Sequence, residues 1–399
     1  MCNSFSRIKT AVATKTRKQD FDREVDSSPQ ESVWTLVSIG LLGLMAMGVN
    51  VVQAAQIEQV AIKYQGGDLS EWAAAGVTIV LDRAGDLALR QKCRRLGLRY
   101  YRIYNVFYPS NPDIDVDTDA LISDQGESSQ NLHSPMLCPA HESVRQAKLE
   151  AIAKDLTKFD PDGISLDFVR FRLEYDNHRS SRWRLDWEEV LPDAVAERFM
   201  QFSFDRESLQ RFQHDMGVVI NTPLDNSRAV AKEILSGHRE AWQKWKCGLV
   251  TSMVAEIRRI AFALNSKITV MIHLVPWRVD EFDDALGLVA GQDPISLARH
   301  VDVFAPMTYH PFLGREADWV GRYTRYLRDL TGKDVWPCIQ AMPIDLQEHE
   351  DLPKYSVDEM KSAWGSVVAS GANGITLYGP AEGDLAAMQL LKGFSLEQK

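Results

Sequence analysis

The sequence predicts an α/β fold, and within that class a (β/α)8 TIM barrel, from three observations. Eight short runs rich in β-branched and aromatic residues occur between residues 59 and 377, and helical stretches separate most of them. Several runs are almost continuously apolar, which is typical of parallel strands buried on both faces. Eight alternations over some 340 residues favour one barrel over a doubly wound sheet. A flavodoxin-like or Rossmann sheet is the structural alternative, although no GxGxxG motif follows the first run.

The eight predicted strands are 59–64, 77–81, 98–104, 163–168, 268–273, 301–307, 335–340 and 374–377. Apolar residues spaced by three or four positions predict helices before the fourth and fifth strands and after the sixth. Gly332 is placed to end the helix after the sixth strand. Ser356 and Glu359 match a capping box after the seventh strand, and Gly371 is placed to end that helix.

One N-terminal segment differs from the rest of the chain. Residues 32–57 contain no Asp, Glu, Lys or Arg, and residues 33–55 would form a helix about 35 Å long, enough to cross a hydrocarbon core of roughly 30 Å. Val52-Gln53-Ala54 also fits a signal-peptidase site, so a cleaved signal peptide and an uncleaved membrane anchor are both open. Either interpretation makes residues 1–32 a cytoplasmic leader and exports residues 57–399 to the periplasm or beyond.

The composition excludes some classes of function. The chain has 399 residues, 45% hydrophobic and 25% charged, with a formal net charge of −10. This acidic balance argues against nucleic-acid binding, which needs clustered Lys and Arg. Five cysteines show no CxxC or metal-like spacing, so no disulfide framework is predicted, and one long-range disulfide stays open. We expect no cofactor.

Two connections between predicted strands are unusually long. Residues 108–139 follow the third strand and are acidic and polar, and residues 172–217 follow the fourth and contain Trp183 and Trp187. Both would lie at the C-terminal face of a TIM barrel, where active sites form. Long loops at that face commonly act as lids or substrate walls. The alternative interpretation is that these loops are solvent-exposed and have no role in the site.

The fourth strand lies within DGISLDFVRF, residues 162–171. Alternation directs Ser165, Asp167 and Val169 into the barrel, and Asp167 at the carboxyl end faces the cleft. Arg170 follows closely, and a guanidinium beside Asp167 would keep the carboxylate ionised, which suits a nucleophile or an electrostatic stabiliser. A structural Asp–Arg pair at the rim is the other interpretation. Asp162, at the opposite end, is predicted to be a turn residue.

The other strand ends carry groups that sugars use. Aromatic faces pack against pyranose rings, and Tyr, His and Asn hydrogen-bond to hydroxyl groups. The predicted substrate-binding residues are Arg170, Tyr104, Asn105, His273, Trp277, Tyr309 and Tyr378.

Four segments resemble uncharacterised glycoside-hydrolase-like TIM-barrel families with a DGIxLDYxR motif in strand four. The segment LCPAHESVRQAKLEAIAKDLTKFDPDGISLDFVRF is similar to the region around that motif, and SFDRESLQRFQHDMG, EAWQKWKCGLVTSMVAEIRRI and VDVFAPMTYH match later elements in order. The resemblance covers residues 137–309 and implies a barrel that hydrolyses carbohydrate. It implies that Asp167 is the catalytic carboxylate and that Arg170 is the arginine following it. Ser165 stands where these families often have His or Gln, so a substrate contact is expected to differ.

Glycoside hydrolysis ordinarily requires two carboxyl groups. Glu382, after the eighth strand, is the predicted acid partner of Asp167, with Asp280, Glu281 and Asp82 as further candidates. Substrate-assisted chemistry on an N-acetylated sugar would need only one. Two other functions stay open: a glycan-binding barrel without catalysis, and a metal-dependent hydrolase using His273 and His310, for which HxH or HxxE spacing is lacking.

Overall fold

The structure, a computed structural model, describes residues 57–109, 119–132, 135–173, 200–311, 313–340, 356–378 and 391. All of these belong to one compact unit, residues 53–399. The apolar segment 33–55, most of the loop after strand four and Glu382 lie outside the described residues. In the part that is described, no helix is both long enough and apolar enough to cross a membrane.

Nine strands of the described chain form one sheet in which every pairing is parallel. The strands are β1 (Gln59–Lys63), β2 (Ile79–Asp82), β3 (Arg99–Asn105), β4 (Gly163–Asp167), β5 (Thr269–Leu274), β6 (Val303–Pro306), β7 (Asp334–Val335), β8 (Cys338–Gln340) and β9 (Gly374–Tyr378). Their order across the sheet is β7-β6-β5-β4-β3-β2-β1-β9-β8. Every predicted strand is therefore present.

The seventh predicted strand is divided into β7 and β8, which form the two edges of the sheet. Only Trp336 and Pro337 separate them in the chain. Pro337 has no N–H to donate, which interrupts the ladder; the Trp336 N–H still donates to the Phe304 carbonyl, and the Pro337 carbonyl accepts from Thr376. Because two residues join the edges, the sheet curls back on itself, giving a TIM-barrel-like fold.

Helices connect the strands along the described chain. They are α1 (Leu69–Ala74), α2 (Leu87–Arg95), α3 (Glu142–Phe159), α4 (Arg206–Met216), α5 (Ser227–Gly237), α6 (Arg239–Leu264), α7 (Ala285–Leu288), α8 (Pro294–Leu297), α9 (Ala317–Thr331) and α10 (Val357–Ala369). The predicted helix ends are confirmed at three positions. Gly332 caps α9 with a left-handed φ of 65°, the Ser356 hydroxyl accepts the N–H of Glu359 at the start of α10, and Gly371 follows the end of α10 with a left-handed φ of 78°.

The sheet separates two apolar layers. Ile164 and Leu166 face the helices and join the largest core cluster together with apolar residues of α3 and α6. On the other face, Leu81, Ile103 and Met271 belong to the cluster inside the curled sheet. Alternate residues of parallel strands therefore divide between interior and helix layer, as the strand pattern predicts.

The register of β3 on β4 is set at the amino end of β4. The α3 helix ends at Asp160, whose φ of 40° is left-handed. Asp162 then accepts the Tyr100 N–H with its side chain and donates its own N–H to the Tyr100 carbonyl. The predicted turn role of Asp162 is confirmed. At the other end of the strand this register places Asn105 opposite Asp167.

The two long loops contact each other where they are described. Ser123 pairs with Phe202 in an isolated antiparallel bridge, and the Asp124 N–H donates to the Gln201 carbonyl. The loop after β3 and the segment before α4 therefore form one structure at the carboxyl side of the sheet.

Candidate functional site

Asp167 is the last residue of β4 and is 9% exposed. Its carbonyl accepts from Val106, and its own carboxylate accepts the N–H of Phe168 at 2.9 Å. Phe168 has a φ of 50°, a left-handed conformation that is uncommon for a bulky residue. The strand alternation consequently ends at Asp167, and Val169, predicted to point into the barrel, packs in the helix-layer cluster instead. Backbone strain of this kind is concentrated at functional sites.

Two cations from neighbouring strand ends surround this carboxylate. Arg83, directly after β2, has a guanidinium nitrogen 3.6 Å from an Asp167 carboxylate oxygen. Lys63, the last residue of β1, also interacts electrostatically with Asp167. The sequence predicted a guanidinium here but assigned it to Arg170. The structure assigns it to Arg83, because the turn after β2 reaches across β3 to the end of β4.

The charges around Asp167 determine its ionisation. Burial alone raises the pKa of Asp167, but His273, Lys63, Arg83 and the Phe168 N–H outweigh it, so the pKa lies below its usual value. Burial, together with Arg83, lowers the pKa of Lys63 to about 8, although Asp167 opposes this shift. At neutral pH the carboxylate is therefore ionised and can act as a nucleophile, a base or an electrostatic stabiliser.

His273 lies inside the curled sheet next to this group. Its Nε2 is 2.9 Å from the Ser165 hydroxyl oxygen, and its Nδ1 is 3.5 Å from the Cys338 sulfur. Burial lowers the pKa of His273, with Asp167 opposing the shift. Burial also raises the pKa of the Cys338 thiol, so imidazole and thiol are both neutral at pH 7. Ser165, where a substrate contact was expected to differ, thus holds His273.

An aromatic pair lies beside the charged groups. The Tyr309 and Tyr378 rings have centroids 4.9 Å apart, and the Lys63 ammonium lies 4.4 Å from the Tyr378 ring centroid. Burial and then Asp167 raise the pKa of Tyr378, so its hydroxyl stays protonated. Such rings can pack on a sugar face while the hydroxyl donates hydrogen bonds.

Asn105 completes the group because it is paired with Asp167 across β3 and β4. Residues paired in register project to the same side of a sheet. The Asn105 amide oxygen is buried and has no hydrogen-bond partner among the described residues. Buried amides ordinarily have partners, so this oxygen is suited to accept from a ligand.

Three predicted substrate-binding residues lie elsewhere. Tyr104 is on the helix side of β3, where its hydroxyl donates to Asp155 of α3 at 2.7 Å. Trp277 is buried in a separate apolar cluster and makes an edge contact with Phe282. Arg170 donates to the Phe171 carbonyl and lies over the Phe168 ring. The side chains of Tyr104 and Trp277 take part in packing, and Arg170 follows the left-handed turn at Phe168.

The alternative carboxylates after β2 and β5 have other partners. Asp82 accepts the N–H groups of residues 84, 85 and 86 and the Tyr100 hydroxyl, so it holds a turn on the helix side. Asp280 pairs with Arg278, and Glu281 pairs with Arg315. His310, expected near His273 for a metal site, is within 3.3 Å of Glu359 on α10 instead.

Five predicted residues therefore converge: Asp167, Asn105, His273, Tyr309 and Tyr378. Lys63 and Arg83 were missed. Both could have been found with the rule that identified Asp167, because each stands at or just after the carboxyl end of a parallel strand.

The overall structure is similar to several solved structures. The glycoside hydrolase domain of PgaB (BpsB) from Bordetella bronchiseptica has a TM-score of 0.58 at 16% identity, covering 84% of this chain and 98% of that chain. The catalytic domain of beta-amylase from Paenibacillus polymyxa has a TM-score of 0.52 at 11% identity, covering 85% and 99%. The beta-galactosidase of Marinomonas ef1 has a TM-score of 0.56 at 10% identity, covering 85% and 60%.

Neither a protein-family model nor a curated protein sequence matches the chain. The structural similarities, at identities of 10–16%, establish the fold. They are consistent with the α/β, TIM-barrel-like fold that the sequence predicts, and fold similarity of this kind does not establish a function.

Proposed function

We propose that this protein is a glycoside hydrolase acting on a poly- or oligosaccharide, with Asp167 as a catalytic carboxylate. The observation that carries the proposal is the ionised Asp167 at the carboxyl end of β4, which pairs with Arg83 and interacts electrostatically with Lys63. The fold is one that a glycoside hydrolase domain, a beta-amylase and a beta-galactosidase share. The resemblance of DGISLDFVRF to a strand-four hydrolase motif supports the same role.

Glycosidases stabilise an oxocarbenium-like transition state, which carries positive charge next to a carboxylate. Asp167 is suited to that task, as nucleophile or as stabiliser, because its pKa is lowered. A proton donor instead needs surroundings that raise the pKa of its carboxyl group. We therefore assign donation to a second group, and Glu382 is the proposed acid because it follows the last residue of β9 by four positions in the sequence.

The proposed sugar platform is the Tyr309–Tyr378 pair, and Asn105 is the proposed hydroxyl-binding amide. The Tyr378 ring contacts the Lys63 ammonium and the Tyr309 ring, and Asp167 interacts electrostatically with Tyr378. Arg170, Tyr104 and Trp277 are not included in the proposed platform because their described contacts are with other protein groups.

The test is a hydrolysis screen of the full-length protein on envelope and plant polysaccharides, with reducing-end release as the readout. Asp167→Asn should lower kcat by about 10²- to 10⁴-fold. The matched control is Asp162→Asn at the other end of β4, where an amide oxygen can still accept the Tyr100 N–H. Equal product release by wild type and Asp167→Asn would show that Asp167 is not catalytic.

The alternative is a glycan-binding barrel without turnover. It is favoured by the surroundings of Asp167, whose described charged neighbours are cations. Binding with micromolar affinity and no product release, weakened by Asp167→Asn, would support the binding function. Turnover by wild type excludes it.

We further propose that the protein acts outside the cytoplasm, through the apolar segment 33–55. Expression with a C-terminal tag, followed by fractionation and N-terminal sequencing, tests this. A mature N-terminus near Ala55 would indicate a cleaved signal, and an intact membrane-bound chain an anchor. Recovery of the intact chain in the soluble cytoplasm would contradict export.

A further inference from the structure

A cluster of three metal-ligating side chains lies where the two long loops meet. Cys138 and His141 are in the turn before α3, and Asp205 precedes α4. One ligand atom from each lies within 4.8 Å of the others. Cys138 is fully buried and His141 is 3% exposed, whereas the Asp205 side chain retains 15% exposure. The cluster is therefore closed on one side and reachable through Asp205.

The ligand atoms lie near the spacing of a metal site. His141 Nε2 is 3.0 Å from one carboxylate oxygen of Asp205, and Cys138 Sγ is 3.8 Å from the other. All three ligand atoms are within 4.8 Å of one another. Zinc bonds of about 2.0–2.3 Å in a tetrahedral arrangement put ligand atoms roughly 3.3–3.6 Å apart, so side-chain adjustment would bring the three atoms to that spacing.

The imidazole is also oriented as in a metal site. Asp119 places a carboxylate oxygen 3.1 Å from His141 Nδ1, and the Ser143 hydroxyl donates to the same oxygen at 2.8 Å. Metal-binding histidines commonly donate their second ring N–H to a carboxylate, which fixes the tautomer and leaves the other nitrogen free to bind.

We propose that Cys138, His141 and Asp205 bind one divalent zinc-class ion, with Asp119 orienting His141. The ion takes the thiolate sulfur, the Nε2 nitrogen and a carboxylate oxygen, and water completes the coordination from the Asp205 side. Thiolate and imidazole together favour Zn²⁺ over the hard cations Mg²⁺ and Ca²⁺. Thiolate and imidazole bind metal only in their deprotonated forms, so binding of the ion releases protons.

The ion would join the two long loops. Asp119, Cys138 and His141 belong to the loop after β3, and Asp205 belongs to the segment after β4. These loops already share the Ser123–Phe202 bridge. The proposed role is structural and does not depend on the proposed glycosidase function.

The competing explanation is a metal-free network in which a protonated His141 bridges Asp119 and Asp205. Burial opposes that charge, but hydrogen bonds to Asp205 and Cys138 raise the pKa of His141 to about 11. The experiment must therefore detect the metal itself.

The full-length protein is stripped with chelator, and Zn²⁺ is titrated by calorimetry. We expect one equivalent to bind and the Tm to rise. Cys138→Ser should weaken Zn²⁺ binding at least 100-fold, and Asp119→Asn about 10- to 100-fold. Cys247→Ser is the matched control, since Cys247 is free and lies in α6, and it should bind as wild type does.

X-ray absorption of the wild-type zinc complex needs no variant and should show one sulfur ligand. Absence of stoichiometric Zn²⁺ binding, a zinc shell without sulfur, or equal loss in Cys247→Ser and Cys138→Ser would overturn the proposal.

Discussion

Arg83 and Asp167 form an ion pair in which a guanidinium nitrogen lies 3.6 Å from a carboxylate oxygen. Arg83 follows β2 and Asp167 ends β4, so β3 lies between the two strands. The Asp167 side chain is mostly buried and that of Arg83 is 48% exposed. The pair therefore acts mainly on the ionisation of Asp167 and contributes little to stability on its own account.

Removing the Arg83 charge should move the acid limb of the pH–activity profile. Asp167 has a lowered pKa and works as a carboxylate, so activity is lost as pH falls through that pKa. In Arg83→Met the pKa of Asp167 rises, and the limb in kcat/KM shifts to higher pH. Arg83→Lys keeps a positive charge and should shift it less. An unchanged limb in Arg83→Met would mean that Asp167 is not the titrating group.

Lys63 should add a fall in activity near pH 8, beyond the basic limb that deprotonation of the proposed acid Glu382 would cause. Its pKa, lowered by burial to about 8, means that the Lys63 ammonium is lost as pH rises through that value. We expect kcat/KM to fall near pH 8 and Lys63→Met to remove that limb while lowering activity. Lys148→Met is the control, because burial lowers the pKa of Lys148 to about 8 as well. The Lys148 ammonium differs in its contacts, since it donates to the backbone carbonyls of Asn105 and Tyr108. Loss of the limb in the control would refute the assignment.

The role of Glu382 can be tested with substrates of different leaving-group ability. A proton donor matters most for poor leaving groups. Glu382→Gln should lose about 10²- to 10⁴-fold on a natural glycan and far less on a dinitrophenyl glycoside. Asp167→Asn should lose activity on both. Equal losses of Glu382→Gln on both substrates would exclude it as the acid.

The variant Tyr104→Phe tests whether the Tyr104 hydroxyl has a structural role or binds substrate. The Tyr104 hydroxyl donates to Asp155, which also pairs with buried Arg102. Losing this hydrogen bond should lower the free energy of unfolding by about 1 kcal/mol, measured by urea titration, with KM unchanged. A raised KM at unchanged stability would instead restore Tyr104 to the substrate-binding residues.

Two helical glycines should respond in opposite ways to alanine. Gly321 in α9 packs directly against the Ser366 backbone of α10, so a Cβ has no room there. We expect Gly321→Ala to cost about 1–3 kcal/mol. A Cβ at Gly365 in α10 meets nothing within 4 Å, and Gly365→Ala should stabilise by about 0.5–1 kcal/mol. Thermal unfolding of both variants checks the pair, and similar effects in the two would show that the α9–α10 contact is looser than described.

Local patterns were sufficient for much of the fold. Largely apolar runs located the strands because a strand buried on both faces contains few polar residues. The seventh run was predicted whole but is divided at Pro337, because whether its missing N–H interrupts the ladder depends on the neighbouring strand. The prediction that alternate side chains of the fourth strand point into the barrel is correct for Asp167 and wrong for Val169. The reason is the left-handed turn at Phe168, which apolar periodicity does not reveal.

The parallel α/β architecture and the position of Asp167 at a strand end follow from the order of residues along the chain, because strand burial and strand ends are visible in local periodicity. Which charges surround that carboxylate depends on how the strands assemble in three dimensions. Arg170 is three residues away in sequence, whereas Arg83 lies 84 positions before Asp167 and makes the ion pair. The physical reason is that electrostatic interaction depends on distance in space, and the curled sheet brings together strand ends that are far apart in the chain.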